Sequence, residues 1–173
     1  YPGGVGTVTT RAFVGDQDGA IWKADVSDAD PQKWTFSLLH DAYYPSDIDN
    51  TDRTTWGPAT IAPILSVDRA GDIVVNYATG DQNNFATTGL NHLYSVTEKT
   101  VLVLGAQAAQ TNVNWHLKFP NGITPTGPLS LFNSTLYFST FTPGVDSGSA
   151  CLKGQGTICG VDYLETQPVT GSP

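Results

Sequence analysis

The stretch FVGDQDGAIWKAD, residues 13–25, decides the fold class of this chain. An Asp-Gly pair between two β-type runs is typical of a hairpin turn, in which Gly19 supplies the positive φ that the turn requires. The alternative is a calcium loop built on Asp16, Asp18 and Asp25. An EF-hand loop that starts at Asp16 would need an oxygen ligand at its fifth position, Gly at its sixth and Glu at its twelfth, and the chain has Ala20, Ile21 and Ser27 there. The pattern therefore favours a β-hairpin.

The same design recurs along the chain. Each copy has an apolar β-type run, a loop rich in Gly, Asp and Thr, and a second β-type run near an acidic residue, and the first runs recur about every 60 to 65 residues. The three copies are RAFVGDQDGAIWKADVS (11–27), DIVVNYATGDQNNFATTGLNHLYSVTEKT (72–100) and TLYFSTFTPGVDSGSACLKGQGTICGVDYLET (135–166). This period with β-type content predicts an all-β protein with propeller-like blades.

We predict about three blades, each a four-stranded antiparallel sheet, in approximate units 1–50, 51–120 and 121–173 of one domain. Because propellers need at least four blades to close, we expect the chain to be a partial propeller from a longer polypeptide. The segment TEKTVLVLGAQAAQTN, residues 97–112, has a helix-friendly second half, and there we predict a strand followed by a loop with room for a short turn of helix.

Charge and hydropathy exclude some partners. The chain has 16 acidic and 8 basic residues and a formal net charge of −8, which opposes sequence-independent binding of nucleic acid or anionic lipid. No apolar stretch approaches the roughly 18 residues that a membrane span needs. No Ser lies in a Gly-x-Ser-x-Gly elbow, so the sequence gives no support to hydrolase chemistry.

Taken together, the motifs resemble the C-terminal quinoprotein-like β-propeller of the PilY family, the type IV pilus biogenesis factors and tip adhesins. The segments that carry the resemblance are FVGDQDGAIWKADVS, IVVNYATGDQNN followed by LNHLYSV, NWHLKF, and LYFSTFTPGVDSGSAC followed by GVDYLETQPVTG. Their order and spacing cover nearly the whole chain. Many members of the family carry an Asp-rich calcium loop before the first of these segments. Here YPGGVGTVTT, residues 1–10, has no carboxylate, so we expect no calcium switch at that place.

The resemblance implies a non-enzymatic protein at the extracellular pilus tip, exported through the periplasm, that primes pilus assembly and mediates attachment and twitching motility. Its implied partners are minor pilins of the tip complex, a host or abiotic surface, and the remainder of its own polypeptide. Two alternatives stay open: a quinone (PQQ)-dependent dehydrogenase, which uses similar Gly/Trp/Asp blade repeats, and a carbohydrate-binding propeller, which would carry an exposed aromatic loop in each blade.

Oxygen-rich loops are the candidate metal sites. The segment DIDNTD holds three carboxylates within six residues, which repel one another unless they are solvated, paired with Arg53 or bound to a cation. The Ca²⁺ candidates are Asp47, Asp49 and Asp52. A further loop, GDQNN at residues 80–84, is either an Asx-turn or a cation site. We expect no other cofactor.

Two cysteines, Cys151 and Cys159, lie in CLKGQGTIC, where two intervening glycines let the chain turn back. The spacing predicts a disulfide, which implies an oxidising compartment, and two free buried thiols are the alternative.

The remaining candidate site residues are histidine and aromatic side chains. The three histidines, His40, His92 and His116, are far apart in sequence, and we expect separate surface or strand-edge positions for them. Trp22 and Trp115 lie within strand patterns, which predicts packing between blades. Three further rings belong to a predicted exposed contact loop: Tyr43, Tyr44 and Trp56.

Overall fold

The computed structural model describes residues 8–43, 56–85, 89–103, 106–144 and 154–165. This part of the chain contains ten strands and no α-helix. The strands are β1 Arg11–Gly15, β2 Ala20–Asp25, β3 Thr35–Asp41, β4 Ile64–Val67, β5 Ile73–Ala78, β6 His92–Val103, β7 Ala106–Lys118, β8 Thr124–Phe132, β9 Thr135–Thr142 and β10 Gln155–Asp162. The predicted all-β class is confirmed.

The strands form three open antiparallel sheets in chain order. Sheet 1 has the order β1-β2-β3, sheet 2 the order β4-β5-β6-β7, and sheet 3 the order β10-β9-β8. Each strand therefore pairs with its neighbours in sequence, as in a meander. Sheet 2 has the four strands that we predicted, whereas sheets 1 and 3 have three each within the described ranges.

Tight turns join many of the strands because the sequence supplies the required residues. The turn from β1 to β2 and the turn from β4 to β5 each place a glycine at positive φ, +85° at Gly19 and +89° at Gly71. The turn from β8 to β9 instead uses Asn133 and Ser134, with φ of +48° and +62°. Two successive residues at positive φ are typical of the type I′ turn, which matches the twist of a hairpin.

Sheet 2 is the middle layer of the structure, because alternate residues of its strands enter two different cores. Val75 and Tyr77 pack with Ile21 and Leu39 of sheet 1, and we call this the first core. Ala78 and Leu93 belong to the second core, which sheet 2 shares with sheet 3. The principal sheet 3 members of the second core are Leu129, Leu136, Phe138 and Val161. Continuous burial along β5 follows from this position, since both of its faces are covered.

One prediction about local structure was wrong. Residues 106–112, with the helix-friendly sequence AQAAQTN, form the start of β7 instead of a loop. They pair along β6 in register, for example Lys99 with Gln110 and Glu98 with Thr111. Strand pairing with a long neighbour overrides the helical preference of Ala and Gln, because the ladder satisfies the backbone groups of both strands.

Candidate functional site

The turn that opens the repeat is held by a carboxylate. Asp16 Oδ1 accepts hydrogen bonds from the backbone N–H groups of Asp18 and Ala20, each at 2.9 Å. Asp16 Oδ2 accepts from Trp22 Nε1 at 2.6 Å. The carboxylate is thus occupied by three N–H donors within its own hairpin. The predicted turn is confirmed, and Asp16 acts as its cap.

The most concentrated chemistry lies where sheets 1 and 2 meet. Seven rings form a continuous group there, which we call the ring cluster, and its members are His40, Tyr43, Trp56, Tyr77, His92, Tyr94 and His116. Ring centroids of successive neighbours lie 4.7 to 6.1 Å apart. Two sheets supply the cluster: His40 stands at the end of β3, while His92, Tyr94 and His116 stand on β6 and β7.

His40 and Tyr77 are the hydrogen-bonded pair of the ring cluster. His40 Nδ1 and Tyr77 Oη are 2.6 Å apart. Burial, with a smaller contribution from the charge of His116, lowers the pKa of His40 to about 4. Burial also raises the pKa of Tyr77 well above its usual value. Since the pKa of His40 lies below 7 and that of Tyr77 lies above it, both side chains are uncharged near pH 7. The pair therefore joins sheet 1 to sheet 2 without a buried charge.

Tyr43 connects the loops around the ring cluster. Its hydroxyl donates to the carbonyl oxygen of Leu90 at 2.7 Å and accepts from the backbone N–H of Gly57 at 2.8 Å. Thr79 Oγ1 lies 3.0 Å from the same oxygen. The ring of Tyr43 stacks on Trp56 at 4.7 Å and 6°. Burial raises the pKa of Tyr43, so the phenol keeps its proton at neutral pH.

A buried ion triad forms a second link between the same two sheets. Glu98 on β6 receives Lys23 Nζ at 2.6 Å and Arg11 Nη1 at 3.1 Å, one on each carboxylate oxygen. The side chain of Glu98 is 3% exposed. A buried carboxylate is tolerated only where it is paired, and both partners come from sheet 1. The triad therefore fixes how sheet 1 is placed on sheet 2.

Several predicted site residues lie elsewhere than expected. Tyr43 is 3% exposed, and Trp56 is partly buried against the first core, so the prediction of an exposed contact loop was wrong for both. The hydrogen bonds of the Tyr43 hydroxyl explain this, because they let a polar ring enter the core. Trp115 packs in the second core as predicted, whereas Trp22 stacks on Phe36 on the outer side of sheet 1 instead of between sheets. Tyr44 lies outside the described residues.

The prediction of surface or strand-edge positions for the histidines was wrong for His92, whereas His116 is exposed and His40 stands near the end of β3, as predicted. His92 is fully buried, and all three histidines converge in the ring cluster although 76 positions separate His40 from His116. Side chains alternate along β6, so His92 and Tyr94 lie on the same face, and this much could be predicted from the strand pattern in the sequence. The pairing of Tyr94 with His116 and the approach of His40 are long-range contacts that one sequence does not reveal.

The predicted metal and disulfide residues fall largely outside the described ranges. Asp47, Asp49 and Asp52 lie outside them, so the calcium prediction stays a prediction. Cys151 also lies outside, while Cys159 is half-buried against the second core. Within the described part of the chain, no group of three or more His, Cys, Asp or Glu side chains is placed to hold a metal ion. Asp81 Oδ1 accepts a hydrogen bond from the backbone N–H of Asn83 at 2.8 Å. Of the two alternatives for that loop, the structure therefore has the Asx-turn.

Comparison of the chain with models of protein families, with curated proteins and with solved structures gives no match. Across the ranges that the structure describes, no helix has the length and apolar character needed to cross a bilayer.

Proposed function

We propose that the chain is a three-sheet segment of a β-propeller-like repeat in a non-enzymatic cell-surface protein of the type IV pilus system, similar to the PilY tip adhesins. The observation that carries the proposal is the contrast between the middle sheet and the outer sheets. Sheet 2 has apolar residues covered on both faces. The outer face of sheet 1 is also apolar, yet it is exposed, and the outer face of sheet 3 exposes Tyr137 and Ile158 among polar residues.

The outer face of sheet 1 is a flat apolar surface. Val14, Trp22 and Leu38 lie opposite one another across its three strands, and Phe36 stacks on Trp22 at 5.2 Å. Phe36 is 62% exposed. Exposed apolar surface of this kind marks an interaction site in a soluble protein. Because the inner face of the same sheet already packs on sheet 2, a further sheet stacked on the outer face would repeat the arrangement.

Sheet 3 supports the same conclusion from the opposite side of the stack. Tyr137 on β9 and Ile158 on β10 point away from the second core, and Ile158 is 81% exposed. Alternation explains the placement, since the adjacent residues Leu136 and Cys159 face the second core. A repeat that continues in both directions accounts for both faces.

The ring cluster favours a structural role over a catalytic one. His40 and Tyr77 are both neutral near pH 7, and their hydrogen bond joins two sheets. The carbohydrate-binding alternative required an exposed aromatic loop, but Tyr43 is buried and stacked on Trp56. We therefore favour protein or surface contact through the assembled repeat as the function of this segment.

The assignment to the pilus system rests on the sequence resemblance and has a genetic test. Deletion of the gene that encodes the parent polypeptide should abolish surface pili, attachment and twitching motility. Complementation should succeed with the wild-type gene and with a Val113→Ser control, since Val113 is 43% exposed. A deletion strain with normal pili and normal attachment would refute the assignment.

A further inference from the structure

Strand β10 is a regular edge strand of sheet 3. The sheet has the order β10-β9-β8, so within the described residues β10 pairs on one side only. Its ladder with β9 runs in a single register from Gln155 to Asp162, without a bulge. Residues 155–158 and Gly160 are exposed. An exposed, regular edge is a template on which another strand can pair.

The opposite edge of the same sheet carries features that prevent such pairing. Strand β8 contains Pro125 and Pro128, which lack the N–H group that a ladder requires. Its register with β9 shifts between Thr126 and Ser130. The sequence of β10, QGTICGVD, has no proline and no basic residue, and its only charged residue is the last one, Asp162. Since prolines, bulges and charges are the usual means of blocking an edge, β8 is protected and β10 is open to pairing.

The hydrogen bonds of sheet 3 define which backbone groups of β10 point outward. The backbone N–H of Tyr163 donates to the carbonyl oxygen of Ser134 at 3.1 Å. These two residues continue the register of β10 with β9 by one pair. Along an antiparallel strand, residues that bond one neighbour alternate with residues that direct N–H and C=O to the opposite side. Gly156, Ile158 and Gly160 therefore direct their backbone groups to the free edge.

These three outward positions are symmetric about Ile158, because a glycine lies two residues before it and another two residues after it. In an antiparallel pair of two β10 strands with Ile158 on the twofold axis, Gly156 of each copy would lie opposite Gly160 of the other. Residues opposite one another at such positions exchange both backbone hydrogen bonds, so no outward group of the three would be left unpaired. Glycine at both flanking positions also lets the two backbones approach closely.

The side chains of β10 fit the same arrangement. Ile158 is 81% exposed, and the side chains of the two copies would pack against each other across the axis. Asp162 would lie opposite Gly154 of the other copy, at the far end of the ladder. The pairing therefore sets no like charges opposite one another, although the chain has a formal net charge of −8. A strongly charged segment would find no counter-charge along residues 155–161, which favours a second copy over such a partner.

We propose that the β10 edge is a homodimerisation site, at which β10 of two copies pairs antiparallel about Ile158 and joins the two copies of sheet 3 into one continuous sheet. A twofold interface uses the same surface on both subunits and must be self-complementary, which is the property of the three outward positions. The dimer uses the edge of sheet 3, whereas the proposed repeat uses the outer faces of sheets 1 and 3. It therefore goes beyond the proposed function and does not depend on it.

Amide hydrogen exchange of the 173-residue chain, followed by nuclear magnetic resonance at low and high protein concentration, tests the pairing directly. Exchange at Gly156, Ile158 and Gly160 should slow at high concentration in proportion to the fraction of dimer. Thr157 and Cys159 are the internal control, because their N–H groups bond to β9 and should be protected at both concentrations. Outward amides that exchange rapidly at every concentration would overturn the proposal. Outward amides that are protected at every concentration would also overturn it, because the chain would then cover its own edge.

An Ile158→Lys variant supplies the second readout, in sedimentation equilibrium. This change sets two like charges opposite each other on the axis, so the dimer of the wild-type chain should be lost. Val113→Lys is the matched control, since Val113 is an exposed apolar residue on β7, which is an edge strand of sheet 2, and this variant should remain dimeric. A wild-type chain that stays monomeric, or a dimer that persists in Ile158→Lys, would overturn the proposal. Neither result bears on the pilus assignment, which the deletion strain tests separately.

Discussion

The turns at Gly19 and Gly71 have nearly identical hydrogen bonds, so substitutions in them can test packing in the first core against a matched control. In both, an aspartate accepts from the backbone N–H groups two and four residues ahead, at 2.8 to 2.9 Å. In both, a glycine follows three residues after the aspartate, with φ of +85° at Gly19 and +89° at Gly71. The surroundings differ. A Cβ at Gly19 would lie 2.5 Å from a ring carbon of Tyr43, whereas a Cβ at Gly71 would have no atom within 4 Å.

The two substitutions to alanine should therefore differ in cost. Positive φ costs a residue with a Cβ about 1 to 2 kcal/mol, and this part is common to Gly19→Ala and Gly71→Ala. At Gly19 the new methyl group also meets a ring that is held by stacking on Trp56 and by the hydrogen bonds of its hydroxyl. Overpacking of a fixed core adds about 1 to 3 kcal/mol. We expect a loss of about 1 to 2 kcal/mol for Gly71→Ala and about 2 to 5 kcal/mol for Gly19→Ala.

Urea unfolding followed by tryptophan fluorescence measures both values. The free energies of unfolding come from linear extrapolation, and the slopes should agree between the variants if both unfold from the same compact state. In a double-mutant cycle, Gly19→Ala should cost less in a Tyr43→Leu background than in the wild-type chain, because leucine removes the planar ring that the new methyl group meets. Equal losses for the two single variants would refute the packing of Tyr43 against this turn.

Three further predictions concern charge and backbone. The pKa of His40 is about 4 in the folded chain and 6.5 in the free side chain, so as the pH falls the unfolded state takes up this proton before the folded state does. The free energy of unfolding should therefore keep its full value above pH 6.5 and fall by at most about 3 kcal/mol between pH 6.5 and 4. In His40→Gln this part of the pH dependence should be flatter. Glu98→Gln should cost about 3 to 5 kcal/mol in urea unfolding because Lys23 is left buried without its counter-charge, and adding Lys23→Met should restore part of the loss; no loss would contradict the buried triad. Ser134→Gly should raise the free energy of unfolding by about 1 kcal/mol, since φ is +62° there, and a decrease would contradict the type I′ turn.

Local chemistry explains which features could be predicted from the sequence. The Asp16 to Gly19 turn was predicted because its aspartate and its glycine are three residues apart and need no distant partner. The strand content was predicted for the same reason, since apolar runs between turn residues are a local signal. The burial of both faces of β5 also fits a local signal, because its sequence IVVNYA is mostly apolar and does not alternate with polar residues.

Long-range contacts explain what was missed. Tyr43 looked like a loop residue, but its hydroxyl is satisfied by Leu90, which is 47 positions away. His40 looked separate from the other histidines because its approach to the ring cluster depends on the placement of β3 on sheet 2. Residues 106–112 were predicted as a loop because their Ala and Gln residues carry no strand signal, and only the pairing with β6 makes them a strand. Each of these depends on tertiary contacts that propensity and spacing do not contain.

The central claim is that the outer faces of this three-sheet stack are interfaces within a larger repeat. Its most direct test is the reactivity of a cysteine placed at Phe36, which is 62% exposed. A Phe36→Cys variant should react rapidly with maleimide in the isolated 173-residue chain and slowly in the folded parent polypeptide, while Val113→Cys reacts at similar rates in both. The unsubstituted chain supplies the background from Cys151 and Cys159. Equal and rapid labelling of Phe36→Cys in the isolated chain and in the parent polypeptide would contradict the claim.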